Sequence, residues 1–375
     1  MFYHSLVSDW NHGNAHFLRG LVRALQQLGH SVTVYEPADG WSRANLVADH
    51  GPAVVQRYKR AYPSLSSRTY QWPVVDLEAI VDQADLVIVH EWNEAQLVAR
   101  LGQHRLRSDG FRLLFHDTHH RSVTRPRDMA QYDLHGYDGV LAFGRVIRDI
   151  YLARRWAKRA WTFHEAADAQ VFRPQPAAEQ LGEVIWIGNW GDDERREELR
   201  EFFLAPVRQL KLRAKAYGVR YPEDALEELA DAGVEYGGYL PNHCVAATFS
   251  RYAIALHIPR RPYAQSLPGI PTIRPFEAMA CGIPLICSPW EDEERLFNAG
   301  DYLLARDGAD MVHHLQTLLN NPQEAGQQVQ RARRTILSRH TCAHRAQQLM
   351  HIAAELGLVG RRMVAAPTAE VSPHE

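Results

Sequence analysis

The stretch Leu267-Pro268-Gly269-Ile270-Pro271-Thr272-Ile273-Arg274-Pro275-Phe276-Glu277-Ala278-Met279-Ala280-Cys281-Gly282-Ile283-Pro284-Leu285-Ile286 decides the fold. A loop broken by proline and glycine leads into a short helical run, Gly282 stops it, and Ile283 to Ile286 begin a buried strand. Pro275 suits the first helical position, which puts Glu277 in the first turn, where an anion complements the helix dipole. A loop meeting a helix N-terminus presents backbone N–H groups without partners and therefore favours anions. A carboxylate beside such a site can hold hydroxyls, and phosphate beside ribose is what a nucleotide-sugar presents. This predicts phosphate contacts from the amides around Gly269, Thr272 and Ile273, a charge contact from Arg274 and a ribose contact from Glu277. The bland alternative is a proline-stiffened turn whose glutamate only favours the dipole.

Working outward, the same strand–loop–helix grammar recurs on both sides. Residues 2–7 read as a first strand, 8–14 as a loop, and Phe17, Leu18, Leu21, Val22, Leu25 and Leu28 as one helix face ending at Gly29. Strands are predicted at 31–35, 85–89, 112–115, 139–142 and 160–163, then at 183–187, 210–214, 234–236, 253–258 and 283–287. Helices are predicted at 194–209, 311–319 and 325–356, while 46–72 reads as helix and loop on the rim. Alternation of this kind predicts an α/β fold of two Rossmann-like, doubly wound domains facing across a cleft. The expected division is an N-terminal acceptor-side domain over 1–170 and a linker over 171–182. A C-terminal donor domain follows over 183–340, then a helix over 341–358 that can cross back to the first domain, and a disordered tail over 359–375.

Composition narrows the class. The chain has 375 residues, and 42 basic against 44 acidic side chains leave a formal charge of −2, so bulk nucleic-acid binding is not expected. There is no apolar run of membrane-spanning length and no secretory leader pattern, and the four cysteines form no CxxC pair. A cytoplasmic protein with reduced thiols is the expectation.

Ligands in doubly wound sheets bind beyond the carboxyl ends of the strands, which selects the loops to inspect. Gly188 and Asn189 follow one strand as a weak candidate cradle. Arg260 and Arg261 follow another, where guanidinium forks suit phosphate and a solvated basic pair is the commoner fate. In the first half, His116 and Asp117 follow a buried strand, with Asp117 as acid/base partner or orienter of the imidazole. Glu165, in His164-Glu165-Ala166-Ala167-Asp168, falls at the hinge. Trp10, His12, Gly13 and Asn14 mark the acceptor side, since Gly13 lets backbone approach a ligand closely. Three histidines at 116, 119 and 120 invite zinc, but neighbouring loop histidines rarely converge and no ligand set completes a tetrahedron, so no metal is expected. The run Arg154 to Trp161 mixes cations with tryptophan; peripheral lipid contact is the minor reading and a solvated helix end the major one.

Several segments together resemble the CgeB-like, spore-maturation type of GT-B glycosyltransferase. They are Ala216 to Pro222, Gly238 to Asn242, His257 to Tyr263, Leu267 to Glu277, Ala280 to Leu285 and Arg339 to Arg345; the N-terminal half is similar more loosely, through the His116 loop and His164 to Asp168. The resemblance implies metal-independent, retaining transfer of a sugar, a hexose being expected, from a UDP- or GDP-sugar to a glycan, protein or small-molecule acceptor, without a cofactor. It implies that Glu277 holds the ribose and that His116 meets the donor sugar. The wider pattern carries a second glutamate eight positions before the first, and this chain has Gly269 there. Arg260, Arg261 and Arg274 are then expected on the diphosphate. Two rivals are a GT-B-fold nucleotide-sugar epimerase and a non-catalytic nucleotide-sugar-binding protein of surface or coat assembly.

Overall fold

A computed structural model of the chain describes residues 1–176 and 179–358. The expected tail at 359–375 lies outside the described residues, as do Ala177 and Ala178 of the expected linker. Twelve strands are present among the described residues: β1 (Val34–Pro37), β2 (Ser67–Tyr70), β3 (Leu86–His90), β4 (Arg112–Asp117), β5 (Gly139–Ala142), β6 (Ala160–Thr162), β7 (Gly182–Ile187), β8 (Ala214–Tyr217), β9 (Val234–Tyr236), β10 (Tyr252–His257), β11 (Leu285–Cys287) and β12 (Leu303–Leu304). Every pairing between them is parallel. Short Val/Ile/Leu-rich strands buried on both faces are what a helix-covered parallel sheet requires.

The N-terminal sheet runs β2-β1, then Phe2 bridging β1 to β3, then β3-β4-β5-β6. The strand expected at 2–7 shrinks to that bridge. Phe2 N–H donates to the Ile88 carbonyl at 2.8 Å and Tyr3 N–H to the Tyr35 carbonyl at 3.0 Å. Beyond Tyr3 the ladder stops, because the buried Glu36 carboxylate takes the Leu6 N–H at 2.8 Å and the Ser5 hydroxyl at 2.7 Å. A carboxylate that satisfies backbone donors substitutes for a neighbouring strand.

The C-terminal sheet runs β12-β11-β10-β7-β8-β9. From β7 the chain winds outward through β8 and β9, then returns to the other side at β10, so β7 and β10 flank a topological switch point. The N-terminal sheet has its own switch, between Phe2 and β3. The strand expected at 210–214 is displaced to Ala214–Tyr217, because the preceding helix Ala205–Leu210 ends on Lys211 in the left-handed region (φ 53°). The helix expected over 325–356 is two, Pro322–Arg339 and Cys342–Glu355. They break where the Ala167 N–H donates to the His340 carbonyl and the Cys342 N–H to the Ala167 carbonyl, both at 2.9 Å, and where Thr341 and His344 form a capping box.

One apolar cluster runs from the N-terminal sheet through the helices Ala15–Gln27 and Ile273–Cys281 into the C-terminal sheet. Helix Cys342–Glu355 packs directly on Ala15–Gln27. The contact is close at Gly20, where a Cβ would stand 2.4 Å from Cys342 Sγ and 2.8 Å from Asp168 Cβ. Alanine is the better helix former by about 1 kcal/mol, so Gly20→Ala separates propensity from packing. The expected outcome is a net loss of about 1–3 kcal/mol from overpacking, seen as a lower melting temperature. An unchanged or higher melting temperature would show that the two helices are not locked at this point.

Candidate functional site

The switch point of the C-terminal sheet opens into a cavity of about 100 Å³ lined by Trp186 and Ile187 at the end of β7, His257, Ile258 and Pro259 at the end of β10, and Arg195, Thr272, Ile273 and Arg274. Open α/β sheets bind ligands at this kind of position. Helix Ile273–Cys281 points its N-terminus at the cavity, and its first N–H groups have no intrahelical acceptor. Thr272, the residue before that helix, has φ 61° and ψ −177°. Only glycine adopts this region easily, so a β-branched residue there holds strain on the order of 1–3 kcal/mol. Backbone strain at a cavity wall is consistent with a loop shaped for a ligand.

Arg195 was not among the residues singled out from the sequence. Burial, together with the nearby Arg260 charge, pushes its guanidinium down to about 9. It donates to the Asn189 carbonyl at 3.3 Å and lies over the Trp186 ring at 5.6 Å, while its Nε has no partner. Among the described residues it makes no ion pair. A half-buried cation whose buried Nε lacks a partner favours an incoming anion. A Cβ at Gly188 would meet the Trp186 ring and Arg195 Nη1, both at 2.8 Å. Arg195 follows the predicted cradle at Gly188 and Asn189 by six residues, inside the stretch read as a helix over 194–209.

The predicted cations divide. Arg274 lines the cavity and pairs with Glu277. Arg260 is engaged by Glu194 at 3.0 Å and Arg261 by Glu198 at 2.8 Å, and neither lines the cavity. Gly269 is likewise turned away: its N–H donates to the Glu291 carbonyl at 2.6 Å. Its φ of 87° and a virtual Cβ only 2.7 Å from Glu294 Cγ show why no glutamate stands there. The Glu294 side chain fills that space, accepting from the Arg145 N–H at 2.6 Å and bonding His164 Nε2 at 2.9 Å.

Glu277 lies two residues deeper than expected, in the second turn, because the helix starts at Ile273 and not at Pro275. It is 0% exposed and bonds His16 Nδ1 of the N-terminal half at 2.7 Å and Arg274. His16 in turn accepts the Asp168 N–H through Nε2 at 2.8 Å and stacks on Phe172 at 3.7 Å. A second cavity, of about 170 Å³, shares Arg274 and Ile187 with the first and reaches across to Asp9, Asn11, His12 and Gly13. It also takes in Asn189, whose side chain bonds that of Asn11. His12 Nε2 and Asn14 Oδ1 are buried without partners. Trp10, by contrast, packs in an apolar cluster with Leu46, Val54 and Val219 and spends its indole N–H on Asp49 at 2.8 Å.

The His116–Asp117 pairing does not form. Successive strand residues face opposite sides of a sheet. His116 therefore turns toward Phe17 and Phe163 and bonds the Tyr3 hydroxyl at 2.6 Å, whereas Asp117 accepts from the Tyr151 hydroxyl at 2.9 Å on the other side. His116 Nε2 has no partner, and burial pushes the ring down to about 3, so it is neutral. Burial pushes Asp117 up to about 6. Glu165 is also buried, and desolvation with the charge of Glu277 pushes it up to about 8, against a smaller opposing effect of Arg274. Among the described residues no group of three or more His, Cys, Asp or Glu is placed to hold a metal ion, and no helix is long and apolar enough to cross a membrane. All four cysteines are free thiols.

Residues 195–351 match a family described as glycosyl transferase-like. No curated protein matches. Among solved structures, Anabaena HepE in complex with UDP and glucose aligns with a TM-score of 0.60 at 14% identity, covering 90% of this chain and 95% of that one. Sucrose-phosphate synthase from Thermosynechococcus elongatus aligns at 0.59 and 15% identity over 92% and 93%. A glycosyltransferase from Rickettsia africae aligns at 0.64 and 11% identity over 93% and 96%. The fold is therefore GT-B, two Rossmann-like domains face to face, as the sequence predicts.

Glu165 supplies a test of the site's electrostatics. A carboxyl raised in the folded state contributes stability that is fully present below its ordinary value of 4.5 and lost as pH rises through about 8. Wild type should thus lose melting temperature relative to Glu165→Gln between about pH 5 and pH 8.5. Parallel curves for the two proteins would place Glu165 in a solvated setting.

Proposed function

We propose that this chain is a glycosyltransferase that takes a sugar from a nucleoside-diphosphate donor, with UDP as the nucleotide of first choice, and passes it to a glycan acceptor. The observation that carries the reading is the cavity at the β7–β10 switch point, where Arg195, Arg274 and a helix N-terminus converge. Both the glycosyl transferase-like match over 195–351 and the likeness to a structure holding UDP and glucose support it.

In this reading the diphosphate sits against Arg195, Arg274 and the amides of Thr272 and Ile273. As the glycosidic bond to the diphosphate breaks, negative charge grows on the leaving oxygens. Preorganised cations and amide dipoles stabilise that charge more than the ground state, typically by several kcal/mol. The protein's own cations carry that role here, so the transfer is read as metal-independent. Glu277 meets the ribose once Arg274 swings from it to phosphate. Glu294, filling the space beside Gly269, brings a carboxylate to the place where the family pattern has its second glutamate. Neutral His116, with a free Nε2, and protonated Glu165 are hydrogen-bonding groups for the sugar hydroxyls. The retaining outcome and a hexose as the transferred group follow the CgeB-like resemblance, and a cytoplasmic setting follows the reduced thiols.

Nucleotide binding tests this directly, since a ligand at 100 times its Kd stabilises the native state by about 2.7 kcal/mol. A thermal-shift screen of UDP, GDP, ADP and dTDP should give one clear stabiliser, UDP being expected. Losing one charge-assisted contact costs about 1.5–3 kcal/mol, so Arg195→Ala and Arg274→Ala should each weaken binding roughly 10- to 100-fold. Arg261→Ala should leave the Kd within about twofold, its partner being Glu198. Equal Kd values for Arg195→Ala and wild type would remove the phosphate from this cavity.

A further inference from the structure

The second switch point, in the N-terminal sheet, carries a constellation that the donor site does not use. Trp41 and Trp92 are the exposed tryptophans among the described residues, 46% and 44% accessible, and both stand beside His4. His4 leaves the strand-like segment at Phe2, and Trp92 follows β3, so the two flank the switch itself. Trp41 opens the helix Trp41–His50, which follows β1. The ring centroids of Trp41 and Trp92 lie 6.3 and 5.9 Å from that of His4.

We propose that Trp41, Trp92 and His4 form the acceptor platform and that its occupant is a neutral pyranose ring of a glycan. The proposal rests on the glycosyltransferase reading and names the substrate class for its second site. A pyranose offers an apolar face of C–H bonds and an edge of hydroxyls. Its C–H face suits the negative face of an indole, and its hydroxyls need neutral donors and acceptors around the ring. The platform has both. His4 meets His12 edge-on at 5.0 Å, and His12, whose buried Nε2 lacks a partner, lines the cavity that reaches Arg274. A chain of ring contacts therefore leads from the tryptophans to the cavity that Arg274 also lines. Burial keeps both imidazoles uncharged at neutral pH.

The two indoles are held in place before any ligand arrives. Trp41 packs edge-on against Trp10 at 5.0 Å, and the Arg220 guanidinium of the C-terminal half lies over it at 6.0 Å. Arg121 lies over Trp92 at 4.3 Å and is itself fixed by Glu91. Rigid aromatic rings lose little entropy on binding, which is why exposed tryptophans act as anchors. Arg220 reaches across from the other domain, so closing the cleft completes the rim.

Saturation-transfer NMR with methyl pyranosides of glucose, galactose, mannose and N-acetylglucosamine, with uridine as a separate arm, tests the platform with and without UDP. Wild type should bind at least one pyranoside through its ring C–H protons. Trp41→Ala and Trp92→Ala should each weaken that binding about tenfold, and Trp92→Phe should keep most of it. Melting curves in the same buffers confirm folding and read the UDP shift, which should be unchanged in all three variants. A wild type that binds none of the four sugars would overturn the platform. So would alanine variants that bind as well as wild type, or uridine displacing the sugar from the same tryptophans. Loss of the UDP shift in wild type would instead sink the donor reading and leave the sugar result standing.

Discussion

A single buried carboxylate ties the two halves of this chain together. Glu277 is inaccessible to water, with one oxygen on His16 of the N-terminal half and the other on Arg274. Taking a carboxylate out of water costs several kcal/mol, and only good partners offset it. The partners here are drawn from both domains, so the carboxylate that engages the cavity-lining Arg274 also helps fix the relative placement of the two sheets. The surrounding contacts repeat the pattern. Asp9 receives the Asn242 N–H at 3.0 Å and pairs with the buried Arg19, and Glu294 bonds His164 and the first amide of helix Arg145–Ala153. Polar groups at the cleft thus serve geometry and chemistry together.

That arrangement makes the cations easy to sort. Arg19 is buried and fully engaged, by Asp9 and the carbonyls of Leu6 and Val7. Arg260 and Arg261 are engaged by glutamates. Arg195 is half-buried against Trp186 with its charge uncompensated among the described residues, and Arg274 shares its carboxylate with His16. Phosphate affinity belongs where charge is buried and under-partnered, since an exposed paired arginine gains little from an added anion.

Much of this was legible in the sequence because it depends on local period and punctuation. The buried strand runs, the Gly282 stop and the loop before Ile273 all carry their own signals, and they placed the GT-B fold and the loops of the cleft. What escaped depends on partners distant in the chain. Glu36 ends the first strand from 30 residues away, Ala167 breaks the last helices, and Glu294 fills the space beside Gly269. Arg195 escaped for the same reason, and so did the pairing of Arg260 with Glu194 and Arg261 with Glu198, because a basic pair at a strand end does not announce its glutamates. The His116–Asp117 pairing failed on a rule the sequence did contain, the alternation of faces along a strand.

The most direct measurement is a crystal structure of the protein soaked with UDP. The account predicts diphosphate density at the β7–β10 switch point, with oxygens within hydrogen-bond reach of Arg195 and Arg274 and of the first amides of helix Ile273–Cys281. Diphosphate bound anywhere else, with Arg274 still seated on Glu277 and Arg195 untouched, would contradict it.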